Sequence, residues 1–184
     1  MFYKYPKGSL EVITGPMFAG KSAELIKRIK IWKIAGVETI VFKPHFDVRF
    51  SEDEIVSRTG SHIKAISIQN SKDIWQFIQK DCQAVAFDEA HFFDKSITVE
   101  IVKLLNKGIR VLVSGLDMDF EGKSFDTVSE LLAQADQILK LKAVCMQCRG
   151  QANMSYRKIA SKERHLLGDS EYEARCRACH SKKN

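Results

Sequence analysis

No stretch constrains this chain more than Gly15-Pro16-Met17-Phe18-Ala19-Gly20-Lys21-Ser22, a full P-loop pattern of Gly, four residues, then Gly-Lys-Ser. Both flanks fit it. Ser9–Thr14 carries Leu10, Val12 and Ile13 and reads as a buried strand, and residues 23–35 carry Leu25, Ile26, Ile29 and Ile34 between charges and read as a helix. A strand, a glycine turn and a helix start aim backbone N–H groups at phosphate oxygens from the positive end of the helix. Gly15 and Gly20 permit the tight backbone, Lys21 can reach β- and γ-phosphates, and the Ser22 hydroxyl can ligate Mg²⁺. The loop therefore predicts a nucleoside triphosphate site, without saying which reaction it serves.

The length of 184 residues suits one domain with a small appendage, and 45% apolar residues suffice for a packed core. No run of about 18 apolar residues exists, so no membrane span is expected. Residues 1–8 lack the apolar stretch of a signal peptide, which makes a cytoplasmic location the expectation. The net charge of +6 fits nucleic acid, phosphate-rich small ligands or a solvated basic surface. Much of the excess sits at Arg175, Arg177, Lys182 and Lys183, with no interleaved ladder of aromatic and basic residues, so no nucleic-acid polymer is expected as a partner.

Along the chain, apolar strands alternate with amphipathic helices. Residues 38–42 read as a strand ended by Lys43-Pro44, followed by a polar stretch over 47–61. Residues 63–68 alternate like one short strand, and Ser71 is placed to cap a helix to about Lys80 with Ile74, Trp75, Phe77 and Ile78 inward. Ala84–Phe87 is an apolar strand ending in Asp88-Glu89, and a helix over 96–107 stops at Gly108. Residues 109–113 form the next strand, ending at Ser114-Gly115-Leu116-Asp117, before a helix over 127–135 and a strand over 137–141. The pattern predicts an α/β fold, a doubly wound and mostly parallel sheet of the P-loop NTPase type, with ligands at the strand C-terminal ends. It divides the chain into a nucleotide-binding domain over 1–143 and a cysteine-bearing subdomain over 144–184.

A strand ending in Asp-Glu supplies the acidic partner a P-loop needs. Asp88 would hold Mg²⁺ directly or through water, and Glu89 would face the γ-phosphate as a base. Asp88-Glu89-Ala90-His91 also spells the tetrapeptide of one helicase class, but such enzymes close their site between two P-loop-type domains, and one sheet of about 140 residues cannot supply both. Asn106-Lys107-Gly108-Ile109 begins like a guanine-reading motif, yet has Ile where an acid is required and precedes a strand rather than following one.

Four of the five cysteines form two pairs, Cys145-x-x-Cys148 and Cys176-x-x-Cys179. Four thiolates at these spacings suit tetrahedral Zn²⁺ clipping the base of a long loop, with no open position for catalysis. His180 is adjacent and could replace Cys179 as a ligand, but four sulfurs suffice. Cys82 stands alone and reads as a small buried residue. A metal-stapled flap beside a phosphate site suggests an acceptor lid that excludes water.

These motifs in this order resemble the zinc-bearing, P-loop type of thymidine kinase over residues 8–180. The resemblance rests on the P-loop, Pro44-x-x-Asp47-x-Arg49-Phe50, Ser57-Arg58-x-Gly60, Phe87-Asp88-Glu89-Ala90-x-Phe92-Phe93, Gly115-Leu116-Asp117 with Phe120 and Phe125, and the CxxC pairs flanking Gly168-x-x-x-Tyr172. It implies transfer of phosphate from ATP to the 5′-hydroxyl of thymidine, and of deoxyuridine, in nucleotide salvage. Glu89 would be the base, with Arg49 and Lys21 offsetting phosphoryl charge. Asp88 and Ser22 would organise Mg²⁺, Asp47 would support its shell, and His91 would lie among the nucleotide-side residues. Met17, Phe92, Leu116, Phe120, Phe125, Ser155 and Tyr172 would surround the nucleoside, and the backbone of Leu166, Leu167 and Gly168 would pair with thymine. A homotetramer inhibited by dTTP is implied too. His91 stands where the family usually has Gln, and Leu167 replaces the first Gly of a common Gly-Gly pair. The rival reading is a P-loop ATPase that binds nucleic acid through its zinc loop.

Overall fold

The computed structural model describes residues 8–46, 53–161, 163 and 168–182. Its elements run β1 (Ser9–Thr14), α1 (Lys21–Ile34), β2 (Thr39–Pro44), β3 (Glu54–Val56), β4 (His62–Lys64), β5 (Ile66–Ile68), β6 (Ala84–Phe87), α2 (Ile97–Asn106), β7 (Arg110–Gly115), α3 (Asp126–Gln134) and β8 (Gln137–Lys140). The C-terminal part follows as β9 (Ala143–Val144), β10 (Gln151–Ala152), β11 (Met154–Arg157), β12 (Tyr172–Arg175) and α4 (Arg177–His180).

Six strands pair in parallel, in the order β5-β2-β6-β7-β1-β8. Helices cover both faces, as the alternating strands require. On one face Leu25, Ile26 and Ile29 of α1 pack on Ile13, Val41, Ala86 and Leu112. On the other, Ile97, Ile101 and Leu104 of α2, with Val128 and Leu131 of α3, pack on Leu10, Val12, Val85, Phe87, Val111 and Val113. The sheet is thus parallel and covered on both sides, as expected of an α/β chain with Val- and Ile-rich strands. Because β6, β7 and β1 are neighbours, the Asp88-Glu89 step, the Leu116-Asp117 step and the P-loop leave the sheet side by side.

Three local expectations are corrected. Residues 63–68 are not one strand. β4 pairs antiparallel with β3, β5 joins β2 in the main sheet, and the Ala65 N–H, which donates to Asp53 O, marks the break. The polar stretch before it also hides β3, whose three residues carry little periodicity. The helix expected over 71–80 is a 3₁₀ helix limited to Ser71–Gln76. A capping box between Asn70 and Asp73 tightens its start, and its buried residues, Ser71 and Ile74, recur every third position, which suits three residues per turn. Phe77 accordingly lies outside it and is exposed rather than inward. Asp94 ties this turn to α2 by accepting from the N–H and hydroxyl groups of both Ser71 and Ser96. Those bonds outweigh burial and hold its carboxyl at about 2.

Beyond β8 the chain forms two antiparallel pairs, β9–β10 and β11–β12, around a core of Ala143, Cys145, Ala152 and Ala174. Cys82 is only partly buried, and burial raises its thiol pKa. No helix among the described residues is long and apolar enough to cross a membrane.

Candidate functional site

One cleft of about 240 Å³ gathers the C-terminal ends of the central strands. It is lined by Met17, Phe18, Gly20, Lys21 and Ser22 of the P-loop, by Asp88, Glu89, His91 and Phe92, by Leu116, Phe120 and Phe125, and by Ser155, Gly168 and Tyr172. Most site residues expected from the sequence therefore meet in one place. Gly15, Pro16 and Ala19 support the loop from behind. A side chain on Gly15 would meet the Leu141 carbonyl oxygen at 2.4 Å, with φ at +138°, so this turn admits only glycine. Pro16 O accepts a bond from Lys21 Nζ at 2.9 Å, and Ala19 packs on the cysteine-bearing core. Asp47, Arg49, Leu166 and Leu167 lie outside the described residues.

Strand register builds the acidic side. Phe87 pairs with Val113, so Asp88 and Ser114 come next to each other and share the face that bears α1. The fully buried Ser114 hydroxyl donates to Asp88 Oδ1, and the Glu89 N–H donates to the same oxygen at 3.0 Å. The Ser22 hydroxyl bonds this carboxylate too. Burial, then the neighbouring Glu89 charge, push Asp88 up to about 6 against those bonds. Lys21 is displaced the other way. Burial lowers its pKa, opposed by Glu89, Asp88 and Asp117. The cleft thus sets the buried acid Asp88 against the buried cations Lys21 and Lys43 beside the glycine-rich loop. The hard oxygens of Ser22 and Asp88 suit Mg²⁺.

Glu89 has φ 51, a left-handed conformation uncommon for a residue with a side chain. Strained backbone of this kind concentrates at functional positions. His91 lies beside it, 5% exposed, with its ring 4.1 Å from Phe92 and 4.9 Å from Phe125. Its Nδ1 accepts the Leu116 N–H at 3.2 Å and stands 3.6 Å from Glu89 Oε2. An acceptor Nδ1 places the ring hydrogen on Nε2. His91 thus ties the β7 exit to Glu89 within the cleft.

The aromatic side is tied to the C-terminal strands. Arg157, 7% exposed, lies 3.6 Å over the Phe120 ring and donates to the Tyr172 hydroxyl from Nε and Nη2 at 3.1 and 2.6 Å. The Ser155 hydroxyl accepts the Met17 N–H at 3.0 Å, leaving its own hydrogen for a ligand. This bond joins β11 to the P-loop. Ser155→Ala is expected to cost about 1–3 kcal/mol of stability by orphaning a buried N–H; urea denaturation measures it, and an unchanged midpoint would show that the N–H finds another partner.

Near the P-loop, Arg58 sits 4.2 Å over Phe18 and pairs with Asp169 at 2.5 Å, linking the β3–β4 turn to the flap. Ser114 and Arg157 are site residues that sequence reasoning missed. The signal for Ser114 was a polar residue two places from Leu112 in a buried strand. For Arg157 there was none, since its contacts with Phe120 and Tyr172 arise only in the folded chain.

The sulfurs of Cys145, Cys148, Cys176 and Cys179 lie within 4.8 Å of one another, and Cys148 Sγ is 3.8 Å from Cys176 Sγ. A tetrahedron with metal–sulfur arms of about 2.3 Å has edges of about 3.8 Å, so the set fits Zn²⁺. Burial acts to raise the Cys145 thiol, but N–H groups of Cys148, Cys176 and Gln147 bring it to about 6. Cys179, hydrogen-bonded to Cys176, rises to about 12. His180 does not join the sulfurs; its Nε2 contacts Phe120 O at 2.8 Å.

Comparison with known proteins agrees with this geometry. The family model described as thymidine kinase matches residues 8–180. A thymidine kinase of Mycoplasma mobile is 50% identical over 98% of this chain and 90% of its own length. One from Mesomycoplasma hyopneumoniae is 49% identical over 98% of this chain and 100% of its own. One from Metamycoplasma arthritidis is 46% identical over 98% and 94%.

Proposed function

The chain belongs to the thymidine kinase family, and from that premise we propose that it transfers the γ-phosphoryl group of ATP to the 5′-hydroxyl of thymidine, and more slowly of deoxyuridine, with Glu89 as general base. The observation that carries this reading is a single cleft holding Lys21, Glu89 and an aromatic wall.

The P-loop N–H groups and Lys21 would bind the triphosphate, Lys21 leaving Pro16 O for phosphate oxygen. Mg²⁺ held by Ser22 and Asp88 would neutralise charge on the β- and γ-oxygens. Ser114 and the Glu89 N–H keep Asp88 Oδ1 occupied, which fixes the carboxylate's orientation. Glu89 would accept the 5′-hydroxyl proton as the oxygen attacks phosphorus. The aromatic wall would hold the base, and the flap would exclude water so that phosphate reaches the sugar. Zn²⁺ on the four cysteines would serve structure only, since four thiolates close its coordination. Family likeness extends the proposal to Arg49 and Asp47 at the phosphates, to flap backbone at Leu166, Leu167 and Gly168 against thymine, and to a homotetramer under dTTP feedback in cytoplasmic salvage.

The test is phosphate transfer from ATP with Mg²⁺ across free nucleosides, with no polynucleotide present. Deoxyuridine lacks one methyl group, worth about 0.8 kcal/mol, so its kcat/KM is expected about fourfold below that of thymidine. Deoxycytidine presents an amino donor where thymine presents a carbonyl, and two mispaired groups should lower kcat/KM about 100-fold or more. Equal turnover of deoxycytidine and deoxyuridine would replace backbone readout with a lax aromatic slot. ATP hydrolysis stimulated by DNA or RNA and indifferent to thymidine would establish the rival ATPase.

A further inference from the structure

The cysteine cluster and the aromatic wall are joined by one side chain outside the cleft lining. His180 ends α4, directly after Cys179. Its Nε2 lies 2.8 Å from the Phe120 carbonyl oxygen. A carbonyl only accepts, so Nε2 carries the hydrogen and donates. The His180 ring stands edge-on to Tyr156, with centroids 5.8 Å apart at 87°, and the Arg175 guanidinium lies 3.3 Å over Tyr156. Arg175 is 2% exposed and also donates to Cys179 O. The imidazole is therefore held on the knuckle side by packing and aimed at a cleft residue.

Phe120 needs such a hold. It sits in a turn beyond β7 that carries bonds of its own. Asp119 N–H donates to Lys123 O, Gly122 N–H to Asp119 O, and Asp119 Oδ1 accepts from Glu121 and Lys123. These bonds shape the turn itself. Arg157 and His180 tie Phe120 to the C-terminal strands and the knuckle, the first on the ring and the second on the backbone. We propose that His180 is a positioning residue through which the metal-held knuckle places Phe120 against the nucleoside. The proposal rests on the reading that the cleft takes thymidine. The knuckle would then set nucleoside affinity separately from the phosphate-binding loop.

Two variants of the full, zinc-replete chain test it. His180→Phe keeps a ring against Tyr156 and removes the donor; His180→Gln returns a donor at similar reach. Zinc per chain is measured by elemental analysis, thymidine and ATP affinities by calorimetry, and kcat at saturation. His180→Phe is expected to hold zinc like the unmodified chain and to bind thymidine about five- to tenfold more weakly, the effect of one hydrogen bond. ATP affinity and kcat should stay within about twofold, and His180→Gln should recover most of the thymidine affinity. Unchanged thymidine affinity in His180→Phe overturns the proposal. So does failure of His180→Gln to recover it, or joint loss of zinc, thymidine and ATP binding, which marks a merely structural residue. An unmodified chain that binds ATP but no thymidine overturns the substrate reading and this proposal together.

Discussion

Glu89→Gln is expected to lower the rate of phosphoryl transfer about 10²–10⁴-fold, the usual loss when a general base is removed. The amide keeps the shape and the left-handed turn but cannot take a proton. Neighbouring groups should hold their places. Asp88 keeps its bonds from Ser114, from Ser22 and from the backbone N–H of residue 89, which the substitution spares. Lys21 loses the largest of the acid charges opposing its burial and keeps those of Asp88 and Asp117. ATP binding should therefore change far less than chemistry. Single-turnover transfer measures the chemical step and calorimetry the ATP affinity. A variant with half the original single-turnover rate would take the role of base away from Glu89.

Local pattern carried most of this. The P-loop, the parallel strands and the Asp88-Glu89 step were legible because each lies within a few residues of chain, where periodicity and glycine placement act. β3, β4 and the break at Ala65 were not, because three-residue strands hold too few side chains to show alternation and are defined by a partner across the hairpin. The 3₁₀ turn at Ser71–Gln76 was mistaken for a longer helix because period three and period 3.6 diverge little over six residues.

The site divides in the same way. Lys21, Ser22, Asp88 and Glu89 fall on sequence motifs, so their meeting in one cleft could be expected from the chain. Residues that hold them fall wherever the fold brings a donor. Ser114 reaches Asp88 by strand register, Arg157 reaches Tyr172 across an antiparallel pair, and His180 reaches Phe120 from the far end of the chain. A histidine next to a cysteine pair reads locally as a spare metal ligand. Only the tertiary structure reveals that a carbonyl has claimed it.

The second large effect is expected at the cysteines. Cys145→Ser should reduce zinc from about one per chain to a small fraction, and lower kcat/KM for thymidine about 100-fold or more. The reason lies in how little else holds this region. Around the cysteines its buried core is Ala143, Cys145, Ala152 and Ala174, with Met154 and Tyr172 buried further along β11 and β12. An alanine methyl contributes about 1 kcal/mol at most when buried, whereas ordering one residue costs about 1–2 kcal/mol of backbone entropy. Such small side chains contribute little toward ordering β9, β10 and α4, which a metal cross-link between β9–β10 and α4 would hold together. Cys145 is the fully buried member of the set, and its backbone forms the knuckle turn with Gly150 and Arg149. A serine hydroxyl at that point stays protonated and is a poor zinc ligand. Loss of the cross-link should free β11 and β12, and with them Ser155, Arg157 and Tyr172, so thymidine binding bears most of the damage. The sheet, with its own core on both faces, should keep its fold and its unfolding transition. ATP binding should weaken only modestly, about tenfold or less, because Ala19 packing and the Met17–Ser155 bond are its links to the knuckle. Stripping zinc from the unmodified chain with a chelator should reproduce the defect, and adding zinc back should reverse it there but not in Cys145→Ser. Metal-replete protein without zinc, or a variant with full zinc and unchanged thymidine kinetics, would remove the metal from this account and leave the four sulfurs unexplained.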